Sequence, residues 1–121
     1  MRVRIGLCAL GLLVAGTVNA SAFSATFRWC SSGSPAFSIA GVPKGTTSLQ
    51  FHMIDLDLPS FNHGGGILPY TGQTSIPCGA LSDYSPPSPP SGSHSYQFTV
   101  TAFGGGNGLG TARSTRKFPE K

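Results

Sequence analysis

The sequence has few charged side chains, and the acidic ones are the scarcest. Only 4 of its 121 residues are Asp or Glu, against 8 Lys or Arg, and the formal net charge is +4. Arg2 and Arg4 lie at the N-terminus, and Arg113, Arg116 and Lys117 crowd the other end. So few bases offer little to a phosphate backbone, and the composition therefore argues against a nucleic-acid-binding protein.

Long hydrophobic runs are absent except for one near the N-terminus. Residues 5–18 form an apolar stretch shorter than the roughly 20 residues that a membrane-spanning helix needs. Arg2 and Arg4 precede it and small residues follow it, a pattern typical of a secretory signal peptide. We predict a signal peptide over residues 1–20, with cleavage after Ala20 or Ala22. The mature chain is then secreted or periplasmic and has no transmembrane segment.

Cysteine is also scarce, with 3 residues in the chain. Cys8 lies inside the apolar run, and we interpret it as part of the signal peptide rather than as a lipid attachment site. The mature chain keeps Cys30 and Cys78, and export to an oxidising compartment predicts that they form a disulfide. A reactive thiol is the weaker alternative.

No segment of the mature chain shows a sustained helical period, which argues against an α-helical domain. With 17 Gly and 10 Pro, the chain favours short strands joined by turns. We predict one mainly β domain over residues 21–108 and a basic, solvated tail over residues 109–121. Residues 59–79 and 85–91 are predicted as loops.

Two strand-like segments carry polar groups at matching ends. In residues 48–55 the apolar face ends at Asp55, and in residues 94–103 the apolar face begins with His94 and Tyr96. If the two strands pair antiparallel, the end of the first lies beside the start of the second. The alternation of apolar and polar side chains thus predicts that Asp55 lies beside His94 and Tyr96, at one end of the apolar face of the sheet. As an alternative, these polar groups simply satisfy each other at the end of a strand.

Several short motifs occur in an order that is similar to the phosphatidylethanolamine-binding proteins, whose bacterial members are often labelled Raf-kinase-inhibitor-like. The motifs are Asp55-Leu56-Asp57-Leu58-Pro59, His63, Tyr84, Pro89-Pro90-Ser91-Gly92 and His94-Ser95-Tyr96-Gln97-Phe98. The resemblance covers residues 27–103. It implies a compact antiparallel β-sandwich with a small anion-binding cavity at one end. Leu56 and Gly64 depart from the family's usual proline and tryptophan, and the 18 residues after Phe103 are fewer than larger members carry. An open, shallow cavity is therefore expected.

The resemblance also implies which residues bind the ligand. By motif position these are Asp55, His63, Tyr84, Pro89, Pro90, His94 and Tyr96, with Asp57 and Gly64 in second rank. Protonated imidazoles and a phenol donate hydrogen bonds to oxyanions, and the glycines after His63 can present backbone N–H groups. We therefore expect an anionic or phosphate-bearing ligand, such as a phospholipid head group, and no cofactor. Asp55 is expected to orient a histidine.

Other functions remain as alternatives at this point. Asp55, His63 and His94 are residue types that bind zinc, but the chain has no H-E-x-x-H motif, so a metal-dependent hydrolase is disfavoured. A serine hydrolase is disfavoured too, because no G-x-S-x-G motif is present. An inhibitor or protein-interaction domain, which docks a partner through the proline-rich segment, is the main alternative. We predict a binding protein rather than an enzyme.

Overall fold

The structure is a computed structural model and describes residues 22–120. The predicted signal peptide over residues 1–20, with Cys8, lies outside the described residues. The described chain is built from strands and turns and has no helix. It accordingly has no helix that is long and apolar enough to cross a membrane.

Within residues 22–120, eight strands form two antiparallel sheets. A three-stranded sheet has the order β1-β2-β5, and a five-stranded sheet has the order β6-β4-β3-β7-β8. The strands are β1 (Ser24–Arg28), β2 (Ala36–Ala40), β3 (Ser48–Asp55), β4 (Asn62–Pro69), β5 (Ser75–Ile76), β6 (Asp83–Tyr84), β7 (His94–Gly104) and β8 (Asn107–Phe118). The mainly β, antiparallel two-sheet fold expected from the sequence is confirmed.

The core forms where the inner faces of the two sheets meet. The alternation seen in the sequence puts Phe51 of β3 and Phe98 of β7 on the buried face of the larger sheet. The smaller sheet contributes Phe27 and Phe37, whose ring centroids lie 5.0 and 4.9 Å from that of Phe98. Such edge-to-face aromatic pairs add about 0.5–1.5 kcal/mol each beyond the burial of their area. The aromatic core therefore fixes the two sheets face to face.

Two hydrogen bonds join the two sheets along one side, and a disulfide links two segments of the smaller sheet. The Trp29 indole donates to the carbonyl of Lys117 at 2.7 Å, and Arg116 donates to the carbonyl of Phe27 at 3.0 Å, so β8 is held against β1. The predicted disulfide between Cys30 and Cys78 is present. It joins the segment after β1 to the segment after β5.

The prediction of a solvated tail from residue 109 is wrong. Residues 107–118 form β8, which pairs antiparallel with β7 along its length and buries Ala112. The tail was predicted from its bases alone, but Arg113 and Lys117 stand on the outer face of an edge strand, where charged side chains remain hydrated. The domain therefore extends to Phe118.

The prediction of a loop over residues 59–79 is wrong as well, because β4 and β5 lie within it. The sequence did not predict β4 because this strand contains Gly64, Gly65 and Gly66, and glycine is depleted in strands. A Cβ at Gly64 would overlap the carbonyl of Asp83 on β6, and one at Gly65 would overlap the carbonyl of Phe51 on β3. Both have positive φ, at 69° and 156°. Glycine is required here so that three strand backbones can approach closely.

Candidate ligand-binding site

The antiparallel pairing of β3 and β7, predicted from their polar ends, is confirmed. Asp55 is the register partner of Tyr96, and this places His94 at the same rim of the sandwich. The Nδ1 atom of His94 lies 2.6 Å from Oδ2 of Asp55. Because a carboxylate only accepts, the Nδ1 atom carries the proton and donates. The Nε2 atom of His94 is therefore left for another partner.

The Asp55 carboxylate is buried and held from both sides. Its Oδ1 atom accepts hydrogen bonds from the backbone N–H of Asp57 at 2.8 Å and of Leu58 at 3.2 Å. Burial raises the pKa of the Asp55 carboxyl. The hydrogen bond and charge of His94, with the two backbone donors, outweigh burial and hold this pKa below its ordinary value of 3.8. Asp55 is thus ionised, and its hydrogen bond fixes the orientation of the His94 ring.

The second aspartate of the motif ties the same two strands together. The Oδ2 atom of Asp57 accepts from the backbone N–H of Ser95 at 2.8 Å, and the N–H of Leu56 donates to the Ser95 carbonyl at 2.8 Å. The turn after β3 is thereby fixed to the first residues of β7. This gives Asp57 a structural role rather than a contact with the ligand.

His63 reaches the site from β4. Its Nδ1 atom lies 2.8 Å from the Ser85 carbonyl, and the Ser85 N–H donates to the His63 carbonyl at 2.8 Å. A carbonyl oxygen can only accept, so Nδ1 is again the protonated nitrogen. The ring also packs edge to face against Phe61, with 4.5 Å between centroids. His63 thus has a fixed orientation, and its Nε2 atom has no protein partner in the described chain.

Tyr96 lies between the two imidazoles with its ring fully buried. Its ring centroid is 5.3 Å from that of His63 and 6.3 Å from that of His94. Its hydroxyl oxygen is buried and, among residues 22–120, makes no hydrogen bond of good geometry, although the Asp55 carboxylate and the Ser88 backbone lie near enough to influence it. Burial, followed by the charge of the nearby Asp55, raises the pKa of Tyr96 to about 12. The phenol is therefore a neutral donor at physiological pH.

These groups border a cavity of about 250 Å³. Ligand sites for drug-sized molecules measure about 300–1,000 Å³, so this cavity suits a smaller group. The lining residues are Asp55, Leu58, Phe61, His63, Ser88, Pro90 and Tyr96. Four of the residues predicted from the sequence, Asp55, His63, Pro90 and Tyr96, line it directly. His94 does not line it, but it is hydrogen-bonded to Asp55, which does.

Five of the nine predicted residues do not line the cavity. Two of them, His94 and Asp57, are described above, and the other three are Pro89, Tyr84 and Gly64. Pro89 is the neighbour of a lining residue. Tyr84 stacks on Phe98 at 6.3 Å between centroids, and burial raises the pKa of its phenol to about 12. The prediction that Gly64 offers its N–H group to a ligand is wrong, because that N–H donates to Oδ1 of Asn62 at 2.9 Å.

Sequence reasoning missed Leu58, Phe61 and Ser88 as lining residues. Leu58 and Phe61 are 45% and 50% exposed, although both are large apolar side chains. They flank the turn around Pro59, where neither strand nor helix periodicity applies. The sequence feature that could have identified them is that both are large apolar side chains in a turn.

The zinc alternative proposed Asp55, His63 and His94 as ligands. In the described chain, the ligand atoms that lie within 4.8 Å of one another come from Asp55, Asp57 and His94 instead. The Asp55 and Asp57 oxygens described above already accept hydrogen bonds from His94 or from backbone N–H groups. We interpret the cluster as the connection between β3 and β7.

Comparison with known proteins gives a family. A sequence model described as phosphatidylethanolamine-binding protein matches residues 18–119. No curated protein and no solved structure matches the chain. The match agrees with the two-sheet fold, and it supports a domain that binds a small ligand or a protein partner.

Proposed function

The chain belongs to the phosphatidylethanolamine-binding protein family, and from this premise we propose that its cavity binds an anionic or phosphate-bearing group. The observation that carries the proposal is the Tyr96 hydroxyl, which is buried between two oriented imidazoles and makes no well-formed hydrogen bond, only loose contacts with Asp55 and the Ser88 backbone. An unsatisfied buried polar group costs about 1–3 kcal/mol. A ligand oxygen in the cavity removes this cost by accepting the phenol's hydrogen bond.

The two histidines supply the positive charge. In each ring Nδ1 donates to an oxygen of the protein, the Asp55 carboxylate for His94 and the Ser85 carbonyl for His63. Protonation at Nε2 therefore turns both rings into cationic donors without disturbing their protein contacts. Hydrogen bonds from charged donors to oxyanions are about twice as strong as neutral ones. Two imidazolium groups and one phenol together provide three donors for a phosphate or carboxylate.

Asp55 does not repel the ligand in this arrangement, because its charge is already engaged. One oxygen accepts from His94 and the other from two backbone N–H groups. Its function is to fix the tautomer and the orientation of His94. A zwitterionic ligand, such as an ethanolamine phosphate head group, also suits a site that has both signs of charge.

We also propose that the protein is exported and that it binds its ligand without catalysing a reaction. The support for export is the apolar run over residues 5–18 with its flanking arginines and small residues. The support for binding is the arrangement of fixed donors around a cavity too small for an extended substrate.

A protein-interaction domain is the second candidate, and one observation favours it. Leu56, Leu58 and Phe61 are 46%, 45% and 50% exposed and lie together in the turn at the cavity mouth. Contiguous exposed apolar side chains are typical of interaction surfaces. A partner that inserts an anionic side chain into the cavity would cover this turn at the same time.

Isothermal titration with phosphorylethanolamine and with inorganic phosphate tests the proposal. We expect saturable binding that is tighter at pH 6 than at pH 8, since a cationic imidazole is the stronger donor to an oxyanion. The replacement His63→Gln should weaken binding, and His52→Gln, in an exposed histidine of the opposite face, is the matched control. Absence of binding by both ligands at millimolar concentration would contradict the proposal. A partner from periplasmic or extracellular material that still binds His94→Ala would favour the second candidate.

A further inference from the structure

The smaller sheet has a groove on its outer face, away from the cavity described above. The groove measures about 500 Å³, and its polar and charged lining residues include Thr26, Arg28, Ser38, Ser75 and Arg116. We call this surface the outer groove. It lies within the size range of about 300–1,000 Å³ for small-molecule sites.

The floor of the outer groove is a row of hydroxyl groups that the strand register creates. Thr26 of β1 pairs with Ser38 of β2, and Ser38 pairs with Ser75 of β5. All three side chains are exposed, whereas their neighbours along the strands point into the core. Three small hydroxyl side chains side by side leave the groove open and present hydrogen-bonding groups along one line.

Arginines stand along the β1 side of this floor. Arg28 is exposed on β1, and within residues 22–120 it forms no ion pair. Arg116 of β8 is fixed by its bonds to the Phe27 carbonyl at 3.0 Å and to Glu120 at 2.7 Å. None of the four acidic residues of the chain lines the groove. Because Glu120 offsets the charge of Arg116, the positive charge of the groove comes from Arg28, whose guanidinium is available for an incoming oxyanion.

The disulfide closes one end of the outer groove. Cys30 follows β1 and Cys78 follows β5, the two outer strands of the smaller sheet. Two strand spacings amount to about 9.5 Å, yet the Cα atoms of the two cysteines are 6.0 Å apart. The chain segments thus converge beyond the strands and are covalently joined. A groove braced in this way is ordered before a ligand arrives, which lowers the entropic cost of binding.

We propose that the outer groove is a second binding site, which takes an oxyanion carried on a hydroxyl-rich small molecule, such as a sugar phosphate or a sugar sulfate. Arg28 pairs with the oxyanion through two parallel N–H donors. The hydroxyl row of Thr26, Ser38 and Ser75 hydrogen-bonds the hydroxyl groups of the sugar. The site is independent of the cavity that holds His63 and Tyr96.

Backbone amide NMR with glucose 6-phosphate, glucose 6-sulfate and glucose as probes tests the proposal. We expect the amides of Thr26, Ser38 and Ser75 to shift saturably with the two charged probes and not with glucose at the same concentration. The relative affinities of the phosphate and the sulfate then identify the preferred oxyanion. If neither charged probe shifts these amides at millimolar concentration, the proposal is overturned.

Two variants separate a specific site from general charge attraction. Arg28→Gln should weaken glucose 6-phosphate binding at these amides about tenfold, as expected for loss of a charge-assisted bidentate contact. Arg113→Gln is the matched control, because Arg113 is an exposed arginine outside the groove. Ser38→Leu fills the floor without changing charge and should also abolish binding. Equal losses in the Arg28 and Arg113 variants, or unchanged binding by Ser38→Leu, would overturn the proposal.

The same spectra distinguish the outer groove from the cavity. His63→Gln should leave the shifts of Thr26, Ser38 and Ser75 unchanged. Shifts at these amides that disappear in His63→Gln would mean that they report binding in the cavity, and this would also overturn the proposal.

Discussion

The Nδ1 atom of His94 and the Oδ2 atom of Asp55 are 2.6 Å apart, although 39 positions of sequence separate the two residues. The contact forms because β3 and β7 pair antiparallel with Asp55 opposite Tyr96. It holds the carboxyl ionised and fixes one nitrogen of the imidazole. The other imidazole nitrogen, Nε2, is thereby directed to a partner outside the Asp55 contact.

Tyr96→Phe separates ligand binding from stability. Because the Tyr96 hydroxyl is buried without a well-formed hydrogen bond, its removal should change the free energy of unfolding by no more than about 1 kcal/mol. The same change should weaken phosphate binding about tenfold, since the ligand loses one donor. Denaturant unfolding and calorimetric titration measure the two effects. Tyr84→Phe is the control and should leave binding unchanged, because Tyr84 does not line the cavity.

The ionisation of Asp55 predicts how stability depends on pH. Its pKa is lower in the folded chain than the ordinary value of 3.8, so the folded state favours the ionised carboxyl. The stabilisation is fully present above pH 3.8 and is lost as the pH falls through the folded pKa. Asp55→Asn should lower the free energy of unfolding at pH 7 and flatten its decline below pH 4. Parallel pH curves for the two proteins would contradict this account.

The two histidines should determine the pH dependence of binding. His63→Gln and His94→Gln each remove one imidazolium, so each should weaken phosphate binding more at pH 6 than at pH 8. His52→Gln, which removes an exposed imidazole from the outer face of β3, should leave the pH profile unchanged. Equal losses at both pH values would show that the imidazole charge does not contribute.

The disulfide should account for a large part of the stability. It joins Cys30 to Cys78, which are 48 positions apart in the sequence. On the chain-entropy relation, replacing both cysteines with alanine should lower the free energy of unfolding by about 4 kcal/mol. Urea unfolding of the variant, and of the reduced wild-type protein, measures this value. A loss below about 1 kcal/mol in both would contradict the prediction.

Gly65→Ala should test the close packing of β4 against β3. A Cβ at this position would overlap the Phe51 carbonyl, and the backbone has a φ of 156°. We expect a loss of more than about 3 kcal/mol in the free energy of unfolding, as for other severe backbone clashes. Gly108→Ala is the matched control, since its Cβ would lie at an ordinary 3.8 Å from the Phe103 ring. Similar losses for both variants would contradict the interpretation that β4 packs closely against β3 at Gly65.

The sequence predicted the part of the site that depends on strand alternation. The apolar faces of residues 48–55 and 94–103 end and begin with polar groups, and antiparallel pairing of two such strands determines where Asp55 and His94 meet. The sequence did not predict β4, because glycines that allow close backbone approach also remove the side-chain pattern of a strand. It did not predict β8 for a related reason, since its charged residues masked the alternation around Ala112.

Three cavity-lining residues were not predicted from the sequence, for a different reason. Leu58 and Phe61 lie in the turn after β3, and Ser88 lies in a proline-rich segment without regular structure. Neither strand nor helix periodicity predicts where residues of such irregular segments lie relative to the strands. The positions of Leu58 and Phe61 follow from the bonds that hold their turn, chiefly the backbone donors to Asp55 and the acceptor on Asp57.

The central claim is that a ligand oxyanion binds at the free imidazole nitrogens of His63 and His94. ¹⁵N NMR of the histidine rings during titration with phosphorylethanolamine at pH 6 measures this directly. We predict saturable shifts of the Nε2 resonances of both rings, with Nδ1 still hydrogen-bonded to the protein and the His52 ring unchanged. Unchanged Nε2 resonances at millimolar ligand, or equal shifts at His52, would contradict the claim.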